Sequence, residues 1–146
     1  MPDMTDALNH IVLIEDNETT SFLNNRLLSR LGVAKQVSSF SKAEEALKFL
    51  WGGEPTNPAD ATPAPMPDLI FVDLKMPGMS GFDFLERYSQ LPADTQGRTV
   101  VAVLTTSMHG ADTARVAQYP NVEYLTKPLT EEKMQRLLAK RFAFSK

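Results

Sequence analysis

Three short, uninterrupted aliphatic runs constrain this chain more than any other feature: Ile11-Val12-Leu13-Ile14, Leu69-Ile70-Phe71-Val72 and Val100-Val101-Ala102-Val103-Leu104. A strand with one wet face alternates apolar and polar residues, so unbroken runs of this kind mark strands buried on both faces. Burial on both faces requires a parallel sheet with helices packed on each side. Residues 36–40 and 122–125 are weaker strand candidates.

Helical patterns fill the intervals. Phe22, Leu23, Leu27, Leu28 and Leu31 recur at helical spacing, and Gly32 marks a stop. Ser41-Lys42-Ala43-Glu44 reads as a capping box ahead of Ala46, Leu47, Leu50 and Trp51. A second box, Ser80-Gly81-Phe82-Asp83, precedes Leu85 and Tyr88. Thr130-Glu131-Glu132 opens a last helix, with Met134, Leu137, Leu138 and Phe142 on one side and Lys133, Arg136 and Lys140 on the other. That basic stripe reads as a solvated face. Between residues 110 and 118 the only large apolar residue is Val116, which predicts a weakly anchored helix. The order is β-α five times over. It implies right-handed crossovers and one doubly wound α/β sheet.

The chain of 146 residues reads as one domain, 1–146, with its core at about 9–142. Residues 52–67 hold five prolines and two glycines and read as an extended loop between the second helix and third strand. A net charge of −3 speaks against nucleic acid or an anionic membrane as a partner. The absence of cysteine excludes disulfides, thiolate metal sites and cysteine nucleophiles. The first ten residues are acidic and lack the apolar core of a signal peptide, and the longest aliphatic run is too short to span a bilayer. A cytoplasmic protein is expected.

In an open α/β sheet, ligands sit beyond the carboxyl ends of the strands. The first strand ends in Glu15-Asp16, the third in Asp73 and the fourth in Thr105-Thr106-Ser107; the fifth leads through Tyr124 to Lys127-Pro128. Clustered carboxylates repel and raise one another's pKa, and a hard divalent cation relieves that repulsion. Mg²⁺ suits an all-oxygen site. Beside it Asp73 can act as a nucleophile on phosphorus, with Lys127 and Thr105 contacting the phosphoryl oxygens. Each residue alone also has a plain reading: a capping aspartate, a loop lysine, a β-branched strand residue. Four strand ends furnished in order make the plain readings a poor account of the set.

The sequence resembles the receiver domain of two-component response regulators over about residues 9–142. The motifs are IVLIEDNE, DLIFVDLKMPGMSGFDFLE, VAVLTTS and YLTKPLT. The resemblance implies a flavodoxin-like five-stranded sheet of order 2-1-3-4-5 with five helices. It implies that Asp73 is the phosphoacceptor, that Glu15, Asp16, Asp73 and the backbone carbonyl of Lys75 hold Mg²⁺, and that Lys127 contacts the phosphoryl group. Thr105 and Tyr124 would form the coupled switch, and the Lys127–Pro128 peptide would be cis. Lys75 and Ser107 occupy positions where such domains vary the lifetime of the phosphate.

The expected role is a single-domain regulator, a phosphoacceptor switch rather than a metabolic enzyme. It would take phosphate from a sensor histidine kinase or a phosphotransfer protein and catalyse its own dephosphorylation. With no output domain following the receiver motifs, the signal would pass to a protein target or to a second copy as a homodimer. The face expected to carry it runs from helix 110–118 through the strand of Tyr124 to the last helix, with Phe144 as added apolar surface. A Mg²⁺-dependent phosphatase is a rival, weakened by Lys75 where an acid/base carboxylate is needed. A purely structural docking module is another, and it leaves the acid–hydroxyl–lysine set unexplained.

Overall fold

The computed structural model describes residues 8–51, 67–76, 78–90, 99–106, 110–119 and 122–142. Five strands, β1 (Leu8–Ile14), β2 (Ala34–Phe40), β3 (Leu69–Asp73), β4 (Val100–Thr105) and β5 (Val122–Thr126), alternate with five helices. The helices are α1 (Glu18–Leu31), α2 (Ala43–Trp51), α3 (Gly81–Tyr88), α4 (Gly110–Val116) and α5 (Glu131–Phe142). The sheet is parallel throughout, in the order β2-β1-β3-β4-β5. The continuous apolar runs are its three central strands, and β3 and β4 are buried at every position.

The period-two geometry of a strand divides these runs between two cores. Val12, Ile14, Ile70, Val72, Val101 and Val103 face α2, α3 and α4, packing on Leu50, Phe84, Leu85 and Val116. Their neighbours Ile11, Leu13, Leu69, Phe71, Ala102 and Leu104 point the other way, onto Leu28 of α1 and Met134, Leu137 and Leu138 of α5. Each such large side chain contributes about 1.5–3 kcal/mol when fully buried.

The signals at the element ends hold with one exception. Gly32 takes the left-handed conformation (φ 63°) and its N–H donates to Leu28 O and Ser29 O, closing α1. At α3 the Ser80–Asp83 capping box is complete in both directions. The box expected at Ser41–Glu44 does not form: α2 begins at Ala43, with Ala46 N–H donating to the Lys42 carbonyl. The face of α1 is in part the expected one: Leu28 is buried and Leu27 and Leu31 pack against the same core, but Phe22 and Leu23 do not. Phe22 and Leu23 are 61% and 56% exposed, whereas Asn24 and Leu28, four residues apart and so on one helical face, are buried. Apolar spacing found the core side of that helix in its later turns but not in its first, where Asn24 is buried in place of Phe22 and Leu23. In α4 the sole buried residue is Val116, as the sequence predicts. The proline-rich stretch 52–66, Ser107 and Phe144 lie outside the described residues.

The basic residues of α5 are engaged locally. Arg136 pairs with Glu132, while Lys140 and Arg141 both hold Glu123 of β5. Burial disfavours the charge on Glu123, but these two cations outweigh burial and lower its pKa from the ordinary 4.5. Its contribution to stability is therefore present above about pH 4.5 and lost as pH falls through the lowered folded value. Glu123→Gln should cost about 1 kcal/mol in urea unfolding at pH 7, and the difference from wild type should vanish in that acid window.

Candidate functional site

The carboxyl ends of β1, β3 and β5 bring Glu15, Asp73 and Lys127 into direct contact. Lys127 Nζ donates to Glu15 Oε1 at 2.6 Å and to Asp73 Oδ2 at 3.0 Å. Glu15 and Asp73 are only 5% and 8% exposed, so this is an ion triad largely withdrawn from water. Asp73 Oδ1 accepts from the Lys75 N–H at 3.2 Å, and Glu15 Oε2 accepts from the Asn17 N–H at 3.2 Å. Asn17 is also the N-cap of α1, its Oδ1 accepting from the Thr20 N–H. One residue thus orders both the acidic loop and the helix after it.

Burial pushes the Glu15 carboxyl above the ordinary 4.5 and Asp73 adds repulsion; the Lys127 and Asn17 donors oppose this without cancelling it. Burial also disfavours the Lys127 ammonium, but its bonds to Glu15 and Asp73 prevail and raise its pKa above 10.5. Lys127 is a fixed cation at any physiological pH.

Asp16, exposed on the rim, completes a set of three carboxylates whose ligand atoms lie within 4.8 Å of one another. Three carboxylates against one ammonium leave two negative charges uncompensated. An all-oxygen donor set with that residual charge fits a hard divalent cation, and Mg²⁺ in particular. Thr105, at the end of β4, is buried, and its carbonyl accepts the Lys127 N–H at 2.8 Å. Tyr124 is half-buried on β5, beside Val103 in register, with its pKa raised by burial and by Asp112 of α4. The side chain of Lys75 is exposed, and the Lys127–Pro128 peptide is cis. The described residues singled out from the sequence therefore share one end of the sheet, with Glu15, Asp73 and Lys127 joined side chain to side chain and Lys75 bonded to Asp73 through its N–H.

One residue of the site was not singled out for it. A Cβ on Gly81 would lie 2.5 Å from the Asp73 carbonyl oxygen and 2.7 Å from Leu74 Cα. Gly81 N–H also donates to the Leu74 carbonyl at 3.0 Å. The first turn of α3 rests directly on the backbone that carries Asp73. A glycine directly after a capping serine, where any ordinary residue starts a helix, was the available signal.

The response regulator receiver domain pattern matches residues 11–139. The chain belongs to this family. Receiver domains bind Mg²⁺ at an acidic pocket and serve two-component systems as phosphoacceptor switches, meeting histidine kinases or phosphotransfer proteins. Among curated proteins the chain is 30% identical, over 86% of its length and 76% of the relative's, to the probable methanogenesis regulatory protein FilR2 of Methanothrix harundinacea. It is 29% identical to the two-component response regulator ORR27 of Oryza sativa, with 84% of the chain aligned but only 17% of that protein. Among solved structures, a two-component response regulator from Cytophaga hutchinsonii superposes with a TM-score of 0.78 at 21% identity, covering 94% of this chain and 98% of that one. The phosphorylated cyanobacterial phytochrome response regulator RcpA gives a TM-score of 0.70 at 26% identity, covering 96% and 98%. No described helix is long and apolar enough to cross a membrane.

The receiver fold makes the Gly81 contact testable. Gly81→Ala forces backbone to move, because the atoms it meets belong to Asp73 and Leu74. We expect a loss of about 1–3 kcal/mol in thermal or urea unfolding. Gly110→Ala, where a Cβ meets nothing within 4 Å, should show no such loss.

Proposed function

We propose that this chain is a phosphorylation-controlled switch in which Asp73 accepts a phosphoryl group from a phosphohistidine of a sensor kinase or phosphotransfer protein. The observation that carries the reading is the buried triad, two carboxylates sharing the Lys127 ammonium at 2.6 and 3.0 Å. A lysine held this way costs desolvation energy that a surface ion pair would avoid, and such an arrangement is typical of a site prepared for charge.

Glu15, Asp16, Asp73 and the Lys75 carbonyl would hold Mg²⁺, which supplies charge neutralisation for the incoming phosphoryl oxygens. Asp73 is the nucleophile. Its carboxylate oxygen attacks phosphorus, the P–N bond of the donor breaks, and the imidazole nitrogen keeps the electron pair and takes up a proton. Lys127, already on Oδ2, turns to the phosphoryl oxygens as they arrive, which replaces one anionic partner by another without exposing its charge. Hydrolysis of the acyl phosphate by water in the same site returns the switch to its resting state.

The Thr105 hydroxyl is positioned on a strand whose backbone is bound to Lys127, and Tyr124 lies on the next strand. These links support a two-state surface on α4, β5 and α5 that takes a protein target or a second copy. Signalling by protein contact in the cytoplasm, without nucleic acid or membrane, is the corresponding cellular role.

Incubation with acetyl phosphate and Mg²⁺, followed by intact mass, tests the reading. The wild-type chain should gain one phosphoryl group, Asp73→Asn none, and Asp16→Asn should raise the Mg²⁺ concentration needed. Stoichiometric labelling of Asp73→Asn at another carboxylate would overturn the assignment, and repeated turnover of the donor would favour a phosphatase. Tyr124→Ala should label normally yet blunt any phosphate-dependent change in partner binding or self-association.

A further inference from the structure

Lys133 breaks a local rule. Thr130 caps α5, its Oγ1 accepting the Lys133 N–H at 3.2 Å and its carbonyl accepting the Met134 N–H at 2.9 Å. Lys133 is therefore the third residue of the helix, where a capping box takes Glu or Gln and where the helix dipole disfavours a cation. Glu131 and Glu132 before it obey that preference. The lysine does not reach outward with the basic residues that follow it. Its ammonium turns back over the preceding loop and donates to the Thr126 carbonyl at 2.7 Å and the Pro128 carbonyl at 2.9 Å, with Thr126 Oγ1 at 3.3 Å.

Those two carbonyls belong to the residues on either side of Lys127. The Lys127 N–H itself donates to the Thr105 carbonyl at 2.8 Å. The peptide units around Lys127 are thus held on one side by β4 and on the other by a single ammonium. Three bonds from a charged donor are each stronger than neutral ones, and together they offset the unfavourable dipole. Lys127 must reach two carboxylates on two other strands, and a shift of its Cα moves Nζ with it.

We propose that Lys133 is a positioning residue for phosphoryl transfer, clamping the backbone of Lys127 so that its ammonium is held at the phosphoacceptor. This rests on the reading of Asp73 and Lys127 given above. Lys133 touches neither carboxylate; it acts through the main chain, and charge alone is not its function.

The test compares initial rates of acetyl phosphate labelling in the full chain for Lys133→Met, Lys127→Met and the double variant. Lys133→Met should slow labelling about tenfold or more, as expected when a reacting group is displaced by a fraction of an ångström to an ångström. Lys133→Arg, which retains several donors, should recover most of the rate. In the Lys127→Met background Lys133→Met should have no further effect, a non-additivity that general loosening of the fold would not produce. Should Lys133→Met not fold, by circular dichroism and a cooperative melt, Lys133→Gln takes its place in the same cycle. A folded chain without the ammonium that labels at the wild-type rate overturns the clamp, and so do additive losses in the double variant. Failure of wild-type Asp73 to label, or a Lys127→Met rate equal to wild type, would instead overturn the reading on which the clamp rests.

Discussion

Everything at the candidate site depends on one ammonium lying between two buried carboxylates. Lys127 joins the ends of β1, β3 and β5 through Glu15 and Asp73, strands that are far apart in sequence. Without Lys127, Glu15 and Asp73 would face each other in a medium that screens poorly, and their repulsion would open the sheet end. With it, the pair is held, yet the three carboxylates still carry more charge than one lysine can balance. That imbalance distinguishes the site from a closed structural ion pair.

The sheet makes this possible by its parity. Alternate residues of β1, β3 and β4 enter opposite cores, so the strands are pinned from both sides and their ends cannot shift independently. Helices on the two faces are anchored unequally. On one face α5 brings Met134, Leu137 and Leu138 into the core; on the other α4 has Val116 alone, supplemented by Arg115 stacked 4.1 Å over the Phe82 ring and by Tyr119 bonded to Glu86 of α3. Low buried area on α4 is the physical meaning of an element whose position is cheaply altered.

Most of the fold was legible in the sequence because the central strands are buried on both faces and leave no ambiguity of period. The strand-end chemistry was legible for the same reason: fixing the strands fixes which residues stand at their ends. What escaped were features set by three-dimensional approach. Phe22 and Leu23 fit the helical spacing as well as Leu27, Leu28 and Leu31 do, and only packing against the sheet turns the first two outward and buries Asn24. Lys133 looked like one more member of a solvated stripe, because sequence spacing records the face of a helix and not the direction of a long side chain. Its position behind a threonine cap was a discordant signal, and local discord is commonest where function imposes it.

The contact of Gly81 with the Asp73 backbone has a consequence for how such a chain can diverge. The excursion after Asp73 begins and ends at a single hydrogen bond, from Gly81 N–H to the Leu74 carbonyl, and its neck is too tight for a Cβ. Loop-closure entropy is a small part of what holds this excursion, so its exposed positions, Lys75 among them, can be exchanged at small cost while the neck, the buried Met76 and the left-handed Gly78 (φ 77°) stay fixed. The composition of the rim is thereby uncoupled from the placement of the carboxylate beneath it. Descendants of one ancestral chain can vary what they admit to the site without relearning how to build it.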